Sequence, residues 1–327
     1  MRTYRLVLRP ETAFGARLVG DTLFGQLCRI LRRLRGETAL NELLEDYTKN
    51  RPFAVLSDAV PHGFVPLPAL PSFFWTLSGD EDRKKRKSKR WVGVEHLTDK
   101  LIRWQSCARD DEDAYAAHIA QKDKNTDDND IRCAPETRVQ QHNTINRMTG
   151  STGTGNFAPY GMTQFWHHPE TALDLYAVLD ESRLDKTGFM EALSAVGKLG
   201  YGRDAGIGLG KFVLEGDMET PAWDCRPAKS FLTLALCAPQ GLNFDAKHSF
   251  YRVRVHFGRH GEEAALGPNP FKHPLLAAET GAVFTLPEAA SRQFLGQGVT
   301  GISKADARTV HQGYAPAVPL PDLPEQW

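Results

Sequence analysis

An α+β fold with antiparallel strand pairing is what this sequence predicts, and the ferredoxin-like split β-α-β plan is one such arrangement. Three observations carry the prediction. The first half reads strand–helix–strand and then strand–helix–strand again. The second half offers short strands and turns but no long helix. The composition, 41% hydrophobic and 24% charged, is that of an ordinary globular chain able to bury a core. At 327 residues about two domains are expected, and a composition shift over Pro221–Pro227 puts the boundary near residue 225, between an N-terminal unit 1–224 and a C-terminal unit 225–327.

Residues 3–9 alternate apolar and polar side chains, the two-residue period of a half-buried strand. After a loop through Gly15, a helix is expected over about 21–35, with Leu23, Phe24, Leu27, Ile30, Leu31 and Leu34 on one face. Asp21 is its expected N-cap, Gly36 its stop, and four arginines fall in its last two turns, where cations suit the dipole. A second helix is expected at 38–49 and a strand at 53–57. Four prolines make 61–72 irregular. A polar insertion follows at 79–90, seven of whose last eight residues are basic, and a polar, acidic, low-complexity stretch at 108–130. Residues 150–156, rich in Gly, Ser and Thr, read as a hairpin tip. A strand at 173–179, a helix at 185–199, a glycine-rich loop and a strand at 211–214 complete the first unit. Strands at 230–237, 250–257 and 281–286 are expected in the second.

Several function classes are excluded early. No run of about 18 apolar residues exists, and the N-terminus lacks the apolar stretch of a signal peptide, so no membrane span or leader is expected. The five cysteines are scattered and contain no C-x-x-C pair, which fits a reducing cytoplasm rather than a disulfide scaffold or zinc ribbon. Lys+Arg and Asp+Glu both total 40, so any nucleic-acid contact must be made by local patches, with help from other subunits. The eleven histidines form no H-E-x-x-H, no H-x-E with C-x-x-C, and no pair with Asp, and no G-x-S-x-G occurs. No catalytic residue, no metal site and no cofactor is expected.

Three clusters stand out. Gly200 to Lys211 holds five glycines in its first eleven residues. A helix precedes it and a strand follows, the reverse of a dinucleotide fingerprint, and it lacks Walker A spacing. Its backbone N–H groups suit close approach of a polymer backbone, while a tight helix-to-strand turn explains the glycines equally well. His142-Asn143-Thr144-Ile145-Asn146-Arg147-Met148-Thr149-Gly150 offers mixed donors and acceptors beside the hairpin, or simply a polar turn. Gly20-Asp21-Thr22 presents a helix N-terminus, an anion site or plain capping. The basic run 83–90 is either a solvated loop or a phosphate or partner contact.

In order along the chain, Gly20-Asp21-Thr22-Leu23-Phe24-Gly25, Phe53 to Ala59 with Pro66-Leu67-Pro68, His142 to Gly150, the loop 200–212 and His311-Gln312-Gly313-Tyr314-Ala315-Pro316-Ala317-Val318-Pro319 make a series. It resembles the subunit-four family of type III-A CRISPR Csm effector complexes, in the Cas-five-like group of the RAMP superfamily, over nearly the whole chain. The resemblance implies two ferredoxin-like, RRM-like RAMP domains and a protruding β-hairpin thumb, here near 148–165. It implies a cytoplasmic, antiviral RNA-binding subunit that holds the 5′ handle of the CRISPR RNA (crRNA), touches the large palm-domain subunit and the first backbone RAMP subunit, and does not itself cleave the target. Carried onto this sequence, the RNA-binding residues are Gly20, Asp21, Thr22, His142, Asn143, Asn146, Arg147, Gly202, Arg203, Gly206, Gly208, Gly210, Lys211, His311 and Tyr314. The insertions at 79–90 and 108–130 depart from the family pattern and carry no assigned role. The alternative in the same superfamily is an endoribonuclease that processes repeat RNA, with His142 as general base.

Overall fold

The computed structural model describes residues 1–75, 83–122, 132–261 and 265–323. The first sheet is formed by β1 (Arg2–Pro10), β2 (Ala54–Leu56) with the short β3 (Val60–Pro61), β8 (Leu173–Leu179) and β9 (Phe212–Glu219). Its order is β2-β8-β1-β9, every pair antiparallel, with β3 also pairing to β8. Helix α1 (Gly20–Arg35) joins β1 to β2, and α6 (Lys186–Leu199) joins β8 to β9. A strand–helix–strand unit split by an inserted strand is the ferredoxin-like plan.

The apolar stripe on α1 is Leu23, Phe24, Leu27, Ile30 and Leu31, which packs with Phe189, Leu193 and Val196 of α6 on one face of the sheet. Helix α6 starts as read, with Asp185 accepting a hydrogen bond from the Gly188 N–H at 3.1 Å. Helix α1 starts one residue early, at Gly20, because the chain packs too closely there for a side chain. A Cβ on Gly20 would sit 2.2 Å from the Leu56 carbonyl oxygen. Val19 occupies the N-cap position, so Asp21 is not the cap. Gly36 stops the helix, with φ +89°.

The expected helix at 38–49 is shorter. α2 (Glu37–Leu44) gives way to a 3-10 turn at Tyr47–Lys49 that buries Tyr47, whose hydroxyl donates to the Ala54 carbonyl at 3.2 Å. The proline-rich stretch includes β4 (Phe64–Pro66), paired with β5 (Trp91–Gly93) beyond α3 (Arg83–Ser88). After α4 (Trp104–Cys107), the acidic stretch opens on α5 (Asp111–Lys122), tied to β5 by Trp91 Nε1 donating to Asp111 Oδ1 at 2.7 Å. Residues 79–82 and 123–130 of the two insertions lie outside the described residues.

A long antiparallel ladder, β6 (Glu136–His142) with β7 (Tyr160–Trp166), precedes β8. The second half adds β10 (Ala228–Thr233), β11 (Val253–His256), β12 (Leu275–Ala278), β13 (Val283–Ala290), β14 (Phe294–Val299) and β15 (His311–Pro319). Four of these form an antiparallel sheet of order β13-β10-β15-β14, and β11 pairs with β12.

The two sheets are packed together. Strand β8 is buried along its full length because Leu175, Ala177 and Leu179 meet the helices while Tyr176 meets Trp223 on the other side, ring centroids 5.4 Å apart. That second core combines Val60, Val65, Trp75 and Trp104 with Leu232, Val283 and Val318, so residues on both sides of position 225 share it. Gln312 of β15 joins the halves directly. Its amide accepts from Leu56 N at 2.8 Å and donates to Leu56 O at 2.7 Å, fully buried.

Candidate functional site

The β6–β7 ladder stands out from the body as an arm. Every residue of β6 is exposed or half-buried, and Val139, Ile145 and Met148 present apolar surface, Met148 at 95% exposure. The arm begins at Glu136, opposite Trp166, twelve residues earlier than the thumb expected from 148. His142 stacks on Tyr160 with ring planes 13° apart. At the far end Asn146 organises the turn: its N–H donates to Ser151 O at 3.0 Å, its carbonyl accepts from Gly150 N at 2.8 Å, and its Oδ1 accepts from Met148 N at 2.9 Å. Asn146 is therefore a scaffold for the tip, while Asn143 and Arg147 are exposed on it.

The base of the arm is stitched to the glycine loop. Phe14 and Phe165 exchange backbone hydrogen bonds at 2.9 and 2.8 Å, Arg17 lies over the Phe165 ring at 5.4 Å, and Arg203 donates to the Thr163 carbonyl. Within the loop, Tyr201 N donates to Gly210 O at 2.8 Å and Gly210 N to Ala13 O at 2.7 Å. Gly210 is thus a packing glycine: φ is +74° and a Cβ would lie 2.1 Å from the Tyr201 carbonyl oxygen. Gly202 and Gly208 also have positive φ, at +74° and +94°, whereas Gly206 sits in the 3-10 turn Ala205–Ile207, where an added Cβ would meet nothing within 4 Å. Gly210 thus serves the tight turn, whereas Gly206 leaves its backbone open to solvent. Arg203, Gly206 and Ile207 are exposed at the crest, and Lys211, half-buried, donates its N–H to Thr12 Oγ1 at 2.9 Å.

The start of α1 is largely turned inward. The Gly20 N–H donates to Asp58 Oδ1 at 2.9 Å and the Thr22 N–H to Asp21 Oδ1 at 2.5 Å, so donors that an anion needs are already used. Gly20 and Asp21 are buried, and Thr22 is half-buried. Burial alone would raise the Asp21 carboxyl, but the neighbouring His256 and His311 outweigh it and hold the pKa at about 2. Burial drives the His311 imidazole down to about 4 against the pull of Asp21. Burial also raises Asp58 to about 6, although Thr280 and the Gly20 N–H hydrogen-bond to it. Tyr314 is in the core: its hydroxyl donates to Tyr47 O at 2.7 Å and accepts from Asn50 N at 3.1 Å. Gly20, Asp21, Gly210, His311 and Tyr314, five of the residues expected at the RNA, are thus buried in the fold. At the arm's base the fold brings Phe14, Arg17 and Phe165 together, a contact no local sequence pattern marks.

His256 was also missed, and with it a cluster. Its Nε2 lies 3.0 Å from Asp21 Oδ2, and His311 Nε2 lies 3.7 Å from the same oxygen. Sequence scanning found no acid–base pair because these residues come from α1, β11 and β15.

No family model and no curated protein matches the chain. Solved structures do. A chain of the Csm1–Csm4 cassette crystallised with pppApA matches at TM-score 0.55 and 13% identity, over 99% of this chain and 100% of that one. A chain of the Csm3–Csm4 subcomplex of the type III-A CRISPR-Cas interference complex matches at 0.56 and 15%, over 98% and 100%. The Csm1–Csm4 cassette with AMPPNP matches at 0.55 and 13%. Over nearly its whole length the chain therefore has the fold of these chains of type III-A Csm complexes, in agreement with the ferredoxin-like fold that its sequence resemblance implied.

Proposed function

We propose that the chain is a non-catalytic, RNA-binding subunit of a type III-A CRISPR-Cas effector complex, which grips the 5′ handle of the crRNA between the glycine loop and the arm. The observation that carries the reading is the junction of those two features: Arg203 reaches the Thr163 carbonyl on the arm, Arg17 covers the half-buried Phe165 at its base, and Arg203, Gly206 and Arg17 there, like Asn143 and Arg147 at the tip, are exposed. Backbone without side chains can lie against phosphates, arginines can meet phosphates or base edges, and apolar groups on the arm can stack on splayed bases. At the far end Met148 and Ile145 form the wedge that would separate handle from guide.

The chain's partners in this reading are the large palm-domain subunit and a backbone RAMP subunit, since the matched chains occur in Csm1–Csm4 and Csm3–Csm4 assemblies. Exposed apolar side chains suited to a protein partner lie on the β11–β12 ladder, at Val253, Val255 and Leu276, and beside it at Phe257 and Phe271. The test is to reconstitute the chain with both partners and sequence the RNA that copurifies. A discrete RNA with a constant 5′ end, lost when residues 150–156 are deleted and Arg203 is replaced by Glu, is the expected result. An RNA-free assembly would overturn the reading. Metal-independent cutting of repeat RNA by the chain alone, abolished by His142→Ala, would establish the endoribonuclease alternative instead.

A further inference from the structure

The start of α1 holds a buried cluster that the RNA reading does not use. Asp21 comes from the first turn of α1, His256 from the end of β11 and His311 from the start of β15. Their ligand atoms all lie within 4.8 Å of one another. The Asp21 and His311 side chains are 4% and 5% exposed and that of His256 20%. Neither Asp21 Oδ2 nor His311 Nε2 makes a hydrogen bond. What they approach instead is the cluster itself: Asp21 Oδ2 lies 3.0 Å from His256 Nε2 and 3.7 Å from His311 Nε2, so the buried polar atoms converge on one point.

We infer that Asp21, His256 and His311 form a binding site for a divalent first-row transition ion, zinc in particular. The separations fit: ligands about 2.0–2.2 Å from a tetrahedral ion stand roughly 3.3 Å from one another, close to the 3.0 and 3.7 Å seen from Asp21 Oδ2. Two imidazoles with one carboxylate select zinc, iron or cobalt over magnesium and calcium, which prefer all-oxygen sets. The carboxylate is already oriented for the task. Its Oδ1 accepts from Thr22 N at 2.5 Å and Thr22 Oγ1 at 3.2 Å, which leaves Oδ2 turned to the histidines. Three protein ligands leave one coordination position for water.

An ion here would clamp the first helix of one half to two strands of the other. That role is independent of RNA binding, and it gives Asp21 and His311 an inward function in place of the anion contact expected of them.

The test uses the untagged full-length chain, stripped with chelator and dialysed against zinc chloride or, separately, cobalt(II) chloride. One zinc per chain by elemental analysis, and visible d–d absorption of tetrahedral cobalt, are expected. Zinc at a hundredfold excess over Kd should raise Tm by roughly 5 °C. His256→Gln, at the least buried ligand and so the safest for folding, should weaken zinc affinity at least about tenfold and remove most of the Tm response. A wild-type chain that takes up no zinc and shows no d–d band overturns the inference, as does a His256→Gln/His311→Gln chain that is folded and retains wild-type metal content.

Discussion

Replacing Gly206, Gly208 and Gly210 one at a time by alanine should produce three different stabilities from one loop. At Gly206 nothing lies within 4 Å of the added Cβ and the backbone is an ordinary 3-10 turn, so the change should stay within about 0.5 kcal/mol. At Gly208 the space is also open but φ is +94°, so strain of about 1–2 kcal/mol is expected. At Gly210 the new methyl would meet the Tyr201 carbonyl oxygen at 2.1 Å and its nitrogen at 2.6 Å, with φ at +74°. Overpacking and strain together should cost about 2–5 kcal/mol there. Urea denaturation midpoints read the series directly. Gly206 is then the clean position to probe RNA contact, because a carboxylate can be placed there without disturbing the fold. At about 6 Å from a phosphate it would repel by about 0.7 kcal/mol in bulk water and about 3 kcal/mol at an effective dielectric of about 20. That corresponds to roughly threefold to hundredfold weaker binding. Affinity for handle RNA, measured for the assembled complex at two salt concentrations, tests it. A Gly206→Glu complex that binds RNA as wild type would refute the loop as a phosphate contact, and a Gly210→Ala chain as stable as Gly206→Ala would refute the packing account.

Gln312→Leu should lower stability by about 2–4 kcal/mol, because it strands the buried Leu56 N–H and C=O that the amide satisfies; a shift below about 0.5 kcal/mol in denaturant unfolding would show that the two halves do not depend on this joint. Burial, with Arg17 assisting, lowers the His167 imidazole to about 4, so its neutral form is the one the fold prefers. Its contribution is complete above about pH 6.5 and is lost as pH falls from there to about 4, roughly 2 kcal/mol once its partial exposure is allowed for. His167→Phe should flatten that part of the stability–pH curve, and an unchanged curve would assign the acid sensitivity elsewhere. Arg147→Ala should reduce the slope of log affinity against log salt by about 0.7 if Arg147 meets one phosphate; a parallel salt titration with wild-type affinity would leave it a tip residue only.

Local pattern carried a good part of the fold. The stripe Leu23, Phe24, Leu27, Ile30 and Leu31 marks α1, Asp185 marks the start of α6, and the apolar run 173–179 coincides with β8. Each is set by neighbours three or four residues away, or by burial on both faces of one strand, and both leave a periodic trace in sequence. Strand β15 was hidden because Pro316 and Pro319 argue against an internal strand; the fold accepts them because β15 pairs with β14 and β10 through other residues as well, and the Pro316 carbonyl still accepts from Leu234 N at 2.9 Å. Helix α5 was hidden by its polar composition, since its anchors are a tryptophan on β5, the buried Ala114 and Tyr115, which packs against the core.

The site divides along the same line. That residues 200–211 form a tight glycine loop, and that a hairpin tip lies near 150, follows from residue types at short range. Which glycine serves the turn and which offers its backbone to solvent depends on what packs behind each: the Tyr201 carbonyl behind Gly210, and open space around Gly206. Asp21 read as a cap or an anion site because sequence shows only its neighbours in the chain. Its true neighbours, His256 and His311, arrive from strands of the other half. Contacts between distant segments are fixed by how the two sheets pack, a property of the whole chain's burial that no local window contains.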